Sequence, residues 1–323
     1  MSAPPRARER ASAYRPPTVN GVGASSVVLP EGSWPTLADF LAQRFPAVAR
    51  DDWLQRMARG EVLDAQGQAL PPDALYRPRH RIYYYRLLAQ EPAIPFEAAV
   101  LYQDDWLVVA DKPHFLPVTP SGRYVQQTLL VRLKRELGID TLTPMHRIDR
   151  DTAGLVLFTV QPHTRNLYQT LFRERSVRKQ YEAIAPYRAD FDYPLTYRSR
   201  LAESAAFMQM QEIPGKPNAQ TIVTLLETRG SLARYALRPV SGQKHQLRAH
   251  MAALGMPILN DRIYPHLYPD EGLDQDYSRP LQLLARSVAF IDPVTGAERH
   301  FASRRALPFP DDPVTNAHPG NEP

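Results

Sequence analysis

Residues 146–159 run His-Arg-Ile-Asp-Arg-Asp-Thr-Ala-Gly-Leu-Val-Leu-Phe-Thr, and they hold the side chains best placed to do chemistry. Asp149 lies between Arg147 and Arg150. A small-residue turn, Thr152-Ala153-Gly154, then leads into the apolar run Leu155 to Phe158. Such a run, bounded by turn signals, predicts a fully buried strand. A carboxylate flanked by guanidiniums at the mouth of that strand is kept ionised and aimed, which suits a nucleophile or an ion-pair anchor. The blander reading is a solvated loop charge with arginine counterions, and the segment alone does not choose between them. Two further segments carry reactive side chains: Val-Arg-Lys-Gln-Tyr at 177–181 and Ser-Gly-Gln-Lys-His-Gln-Leu-Arg-Ala-His-Met at 241–251.

Other chemistries fit these residues less well. Asp149-Arg150-Asp151-Thr152 suggests the paired aspartates of metal-dependent phosphohydrolases, but there the apolar strand precedes the pair and here it follows. A zinc hydrolase built on His146, His245 and His250 fails on spacing. Positions five apart on a helix point about 140° away from each other. Asp149 and Asp151 are too close in sequence to flank a scissile glycosidic bond from opposite sides. Cysteine is absent, which excludes disulfides, zinc–thiolate sites and thiol catalysis.

The elements that must position these residues follow from pattern. Residues 1–33 carry prolines and arginines with no helical or strand period and predict a mostly disordered tail. Thr36 to Asp39 has capping-box character before an apolar face of Leu37, Phe40 and Leu41. A second helix is predicted from about Arg50, ending near Gly60. Val62-Leu63 and Arg81 to Arg86 read as strands. Tyr76 to Arg86 interleaves four arginines with four tyrosines, which could neutralise phosphates and stack on bases, or could be an amphipathic strand with half-buried rings. Pro92-Ala93-Ile94-Pro95 opens a larger domain. In it, strands are predicted over 99–102, 106–110, 179–185, 221–226 and 232–238, helices over 162–173 and 245–254, and a last hairpin over 283–302. After Leu307 the chain is expected to fray.

The chain has 323 residues, enough for one large domain and a smaller one, and 43% hydrophobic content supports a real core. Its formal charge of +5 is compatible with a polyanionic partner. No apolar run reaches membrane-spanning length and no secretory signal is seen near the start, so a cytoplasmic protein without a membrane partner is expected.

The three segments, in this order, resemble the RluA-type pseudouridine synthases. That family carries His-Arg-Leu-Asp-Arg-x-Thr-Ser-Gly-Leu, then Lys-x-Tyr, then Thr-Gly-Arg-x-His-Gln-[Leu/Ile]-Arg. Asp111-Lys112-Pro113 resembles the family's first motif, Asn-Lys-Pro-x-Gly-x-x-Val-His, with Asp111 for asparagine, Phe115 for glycine and Thr119 for histidine. Asn260-Asp261-Arg262-Ile263-Tyr264 resembles its Gly-Asp-x-x-Tyr segment with Asn260 for glycine. The resemblance implies isomerisation of uridine in structured RNA, large-subunit ribosomal RNA first and transfer RNA as the alternative. It implies no cofactor and no metal, because the reaction has no redox step. A non-catalytic RNA-binding protein is the rival from another class. By resemblance Asp149, Tyr181 and Arg248 are catalytic. Arg147, His146, Leu247, Lys179, His245 and Lys112 fall at the substrate. The implied fold is α/β (α+β), a mixed, mainly antiparallel sheet at 91–308, in a monomer. Residues 34–90 resemble an S4-type RNA-binding module, joined by a linker at 87–95 and departing from its usual Val-Asn-Gly turn at Asp64-Ala65-Gln66-Gly67. Residues 309–323 are expected to form a flexible tail.

Overall fold

Thr36 begins the first helix as its sequence requires. Its hydroxyl accepts from the Asp39 amide at 3.2 Å, and the Asp39 carboxylate accepts from the Thr36 amide at 3.1 Å. The computed structural model describes residues 14, 16–86, 91–204, 208–268 and 276–310, and contacts divide the chain into two units, Met1–Glu91 and Pro92–Pro323. Part of the predicted linker (87–90) and much of both predicted tails (1–13, 15 and 311–323) lie outside the described residues.

The first unit contains β1 (Ser25–Val28), α1 (Leu37–Arg44), α2 (Arg50–Ala58), β2 (Val62–Leu63) and β3 (Arg81–Tyr84), its sheet ordered β1-β3-β2. Both helices pack their apolar faces, Leu37, Phe40, Leu41, Trp53 and Met57, into one core with Val62 and Ile82. β1 corrects the expectation of disorder through residue 33. Its four residues alternate with β3 from Ser25↔Tyr84 to Val28↔Arg81, too short a run to show a period in sequence. The tyrosines of β3 correct the base-stacking reading. Tyr83 and Tyr85 are buried and donate to the Tyr14 and Pro17 carbonyls at 2.8 and 2.7 Å, while the Tyr84 ring packs on Trp53 and Phe45. Burying these rings strengthens the core, and their hydroxyls satisfy backbone acceptors, so they are structural. Arg79 ion-pairs with Glu31, and Arg81 reaches Ser26 at 3.2 Å.

The second unit holds β4 (Ala99–Gln103), β5 (Leu107–Lys112), α3 (Leu129–Leu137), β6 (Thr143–Pro144), β7 (Ala153–Thr159), α4 (Arg165–Arg173), β8 (Arg178–Pro186), β9 (Leu195–Ser199), β10 (Leu201–Glu203), β11 (Met210–Glu212), β12 (Ala219–Arg229), β13 (Leu232–Pro239), α5 (Gln246–Ala253), β14 (Leu283–Ile291) and β15 (Glu298–Ala302). One mixed, mainly antiparallel sheet runs β4-β5-β7-β14-β8-β13-β12-β9. β6 pairs with β7, and β15 pairs with β14. β10 and β11 form a separate hairpin.

β14 therefore lies between β7 and β8, parallel to the first and antiparallel to the second. The parallel pairing is short, Ala153 opposite Leu284 and Gly154 opposite Ala285. It depends on Gly154, whose φ is +106°. A Cβ there would stand 2.7 Å from the Ala285 nitrogen and 2.8 Å from its carbonyl carbon, with the carbonyl oxygen nearer still. The last strand does not end the fold. Leu307 and Phe309 are buried, and the Arg229 and Arg234 guanidiniums lie 4.7 and 5.1 Å from the Phe309 ring. Expected fraying from Leu307 is thus corrected for the described residues: two apolar anchors in a Pro-rich segment make no periodic pattern.

Two departures from the family's glycines keep the glycine backbone. Phe115 has φ +65° and Asn260 φ +63°. Asparagine tolerates this region, and its side chain donates to the Pro280 carbonyl at 3.0 Å. A phenylalanine there is strained, but its buried ring stacks on Phe96 at 6.0 Å and meets Tyr277 edge-on at 5.1 Å.

Candidate active site

Asp149 sits in the loop between β6 and β7, and the sheet's own edge holds that loop. Lys112, the last residue of β5, is fully buried and donates to the Arg150 and Pro113 carbonyls at 2.9 and 3.0 Å. His114 Nδ1 lies 2.7 Å from the Asp151 carbonyl, and the Thr152 amide closes a turn onto the Asp149 carbonyl at 3.2 Å. Burial pulls the Lys112 ammonium down to about 7, against the opposing pull of Asp151 and Asp149. Sequence placed Lys112 at the substrate. In the structure Lys112 is fully buried, is bonded to two backbone carbonyls beneath the Asp149 loop, and does not line the cleft.

The opposite wall is α5. Its six residues Gln246 to Met251 are all buried, so the surface-arginine alternative for Arg248 fails. The segment before the helix is locked by Gln246, whose amide oxygen accepts from the Ser241 hydroxyl at 2.7 Å and the Gln243 amide at 3.1 Å. Its nitrogen donates to the Gln220 carbonyl at 2.9 Å. Arg248 grips Asp261 in a fork, Nε at 2.8 Å and Nη2 at 2.7 Å, and turns Nη1 to Asp149 Oδ2 at 3.2 Å. Burial alone would lower the guanidinium pKa, but the Asp261 bonds and the nearby Asp149 and Asp151 charges hold it above its already high value. Asp261 also accepts from the Ile263 and Tyr264 amides at 2.8 and 3.0 Å.

Between these walls lies a cleft of about 390 Å³. Asp149, Tyr181, Arg147, Lys179, Leu247 and His245 line it, as does His146. Tyr181 comes from β8, opposite Leu237 of β13 and Ala285 of β14. Burial and the Asp149 charge push its phenol well above its usual value, so it carries its proton at neutral pH. Lys179 Nζ lies 3.4 Å from the Ser241 carbonyl, and burial lowers its ammonium. His146 accepts the Leu157 amide on Nε2 at 3.3 Å and stacks on Phe172 at 4.5 Å. Burial holds its pKa at about 3, so it presents a neutral ring.

The structure brings together all the predicted site residues except Lys112. It moves His245 off the helix to its N-cap, in a left-handed conformation with φ +52°, and turns Nε2 to 3.7 Å from Asp149 Oδ1. The three histidines weighed as zinc ligands diverge, since His250 is buried between Thr221 and Ser199 at 2.9 and 3.1 Å. Sequence reasoning missed Asp261 and Tyr264 as site residues. Their only signal was the Asp-x-x-Tyr spacing, which does not reveal that both face α5.

The cleft thus sets a carboxylate held by a buried guanidinium beside a protonated phenol, among several basic side chains. Residues 106–253 match the family described as RNA pseudouridylate synthase. An uncharacterized RNA pseudouridine synthase of Synechocystis sp. is 30% identical over 234 residues, 71% of this chain and 79% of its own. The chain belongs to the RNA pseudouridine synthase family and is an isomerase acting on RNA. Within it the chain is of the RluA type. The dual-specificity RNA pseudouridine synthase RluA of Haemophilus influenzae is 29% identical over 221 residues, 68% of this chain and 98% of that protein. The fold is shared with human RNA pseudouridylate synthase domain containing 1, at a TM-score of 0.54 and 18% identity over 67% of this chain and 86% of that one.

Proposed function

We propose that the chain isomerises specific uridines of large-subunit ribosomal RNA, with Asp149 as the reacting carboxylate. The observation that carries this is the Asp149–Arg248 contact, made by a buried arginine at the cleft floor. In the reaction the bond from ribose C1′ to N1 breaks, the uracil turns, and C1′ bonds to C5. The C5 proton leaves and N1 gains one. Asp149 either attacks C1′ or takes a sugar proton to give a glycal. Tyr181 stacks on the extruded base and keeps its hydroxyl proton available near the sugar. Leu247 packs on the base, and Arg147 contacts phosphate or the gap left in the RNA.

The first unit serves this reading as an S4-like RNA-binding module. Its two helices and three-stranded sheet support that, as do the exposed Arg77, Arg79 and Arg81. Transfer RNA is the second reading, favoured by a relative described as the mitochondrial tRNA pseudouridine(32) synthase of Saccharomyces cerevisiae, 34% identical over 173 residues. The test is a pseudouridine map of total RNA from cells with and without this chain. Sites lost from large-subunit RNA are expected. Losses confined to transfer RNA would replace the first reading by the second, and an unchanged map in both would overturn the assignment.

A further inference from the structure

Asp149 has two oxygens, and Arg248 meets only Oδ2. Oδ1 faces His245 Nε2 at 3.7 Å. On its far side the imidazole meets a tyrosine: Nδ1 lies 3.3 Å from the Tyr264 hydroxyl. That hydroxyl in turn accepts the backbone N–H of Met210, from the β10–β11 hairpin, at 2.6 Å.

The proton positions in this chain follow from what each group can do. Burial lowers the His245 pKa, with Arg248 and Lys244 adding to that and Asp149 and Asp261 opposing it. The ring is therefore neutral near pH 7 and carries one N–H. An ionised carboxylate only accepts, so a ring nitrogen facing it must be the protonated one. Nε2 then bears the hydrogen and Nδ1 must accept. The Tyr264 hydroxyl can donate to it: its oxygen accepts from Met210, and its hydrogen can turn to Nδ1. Donors line up in one direction: Met210 N–H to Tyr264, Tyr264 O–H to Nδ1, Nε2–H toward Asp149.

We propose that Tyr264 is a positioning residue for Asp149, acting through His245: it fixes the imidazole tautomer so that an N–H, not a lone pair, faces the carboxylate. The wrong tautomer would set a lone pair against a negative oxygen and push Asp149 out of line. Tyr264 is well built for the task. Its amide is bound to Asp261 at 3.0 Å, and its ring lies under the Arg248 guanidinium at 5.6 Å. One short segment, Asp261 to Tyr264, thus supports both oxygens of the reacting carboxylate, Oδ2 through Arg248 and Oδ1 through His245. Met210 links that support to the hairpin. The separation of 3.7 Å is longer than a hydrogen bond and leaves room for the contact to tighten when RNA fills the cleft.

This inference rests on the isomerase reading of the cleft, and the test separates the two. The probe is a pool of unmodified ribosomal and transfer RNA transcripts labelled at uridine C5, read by single-turnover label release and by binding. Tyr264→Phe keeps the ring and removes the hydroxyl. Conversion should slow at least tenfold with RNA affinity unchanged. In nitrogen NMR of the free protein, the His245 ring should shift from the Nε2–H form toward a mixture. His245→Gln places an amide N–H near the Nε2 position and has no tautomer to lose, so it should convert RNA at least tenfold faster than His245→Ala. Adding Tyr264→Phe to His245→Gln should cost nothing further. An equal loss from Tyr264→Phe in both backgrounds, or a His245 spectrum unchanged by it, would overturn the proposal. A wild-type protein that releases no label would instead sink the isomerase reading, while the spectrum still decides the tautomer.

Discussion

At the scale of single residues, the site turns on one carboxylate and its charged partner. Asp149→Asn keeps the shape and removes the anion, so it should abolish pseudouridine formation while the protein stays folded and binds RNA. Asp151→Asn should be much milder. Asp151 is bound by Arg150 at 2.9 Å and has its carbonyl held by His114, so its work is to shape the turn. Single-turnover label release on both variants checks this; near wild-type conversion by Asp149→Asn would end the mechanism. Arg248→Ala should be severe in two ways. It frees Asp149, and it strands the buried Asp261, a cost of roughly 3–5 kcal/mol for a buried charge left unpaired. Activity and urea midpoint should fall together, unlike for Asp149→Asn, where only activity falls. Asp149, Tyr181 and Arg248, the three proposed for catalysis, were legible in sequence because each stands in a short ordered motif. Asp261 was not, because its importance is a matter of distance: it lies 13 positions from Arg248 and yet makes both of its closest bonds.

At the scale of elements, the buried strand after Asp149 was readable from its apolar run, and both helices of the first unit from their apolar faces. What stayed hidden were elements too short for a period, β1, β6, β10 and β11, and burial that arises only from pairing, as for Phe309; α3 and β9 also went unread, although Thr128 and Gly138 mark both ends of α3. Gly154 is the element-scale test. Gly154→Ala would drive a Cβ into the Ala285 backbone at an unfavourable φ, so β7 and β14 must part. We expect a loss on the order of 3 kcal/mol or more, seen as a lower urea midpoint, with activity falling because Asp149 is five residues away. A midpoint within experimental error of wild type would show that the close crossing is relaxed in solution. The first unit offers a cleaner separation of roles. On the proposed reading of this unit as an RNA-binding module, contact with RNA falls to the arginines, since Tyr83 and Tyr85 are buried. Replacing Arg77, Arg79 and Arg81 by glutamine should weaken RNA binding and reduce its salt slope by up to about three, with the rate at saturating RNA little changed. Unchanged affinity and slope would make this surface merely solvating.

At the scale of the whole molecule, buried histidines set its tolerance of acid. Burial holds His146 at about 3 and His114 and His250 at about 4, below the ordinary 6.5. As pH falls through 6.5 the unfolded chain takes up these protons and the native chain does not, so stability is full above 6.5 and is lost progressively toward pH 4. The urea midpoint should drop steadily between pH 6.5 and 4, and His250→Gln should flatten that slope; a flat wild-type profile would contradict the burial of these rings. The strand order of the large sheet carries a further consequence, for synthesis. β14 occupies the middle of the sheet but follows every other strand of it except β15 in chain order, so it is made after them. Before β14 is made, β4-β5-β7 and β8-β13-β12-β9 have no strand to pair them into one sheet. The reacting aspartate belongs to one half, with Tyr181 and Arg248 on or against the other. A growing chain therefore carries Asp149, Tyr181 and Arg248 before it carries the strand that unites their two half-sheets, and that strand contributes none of the three.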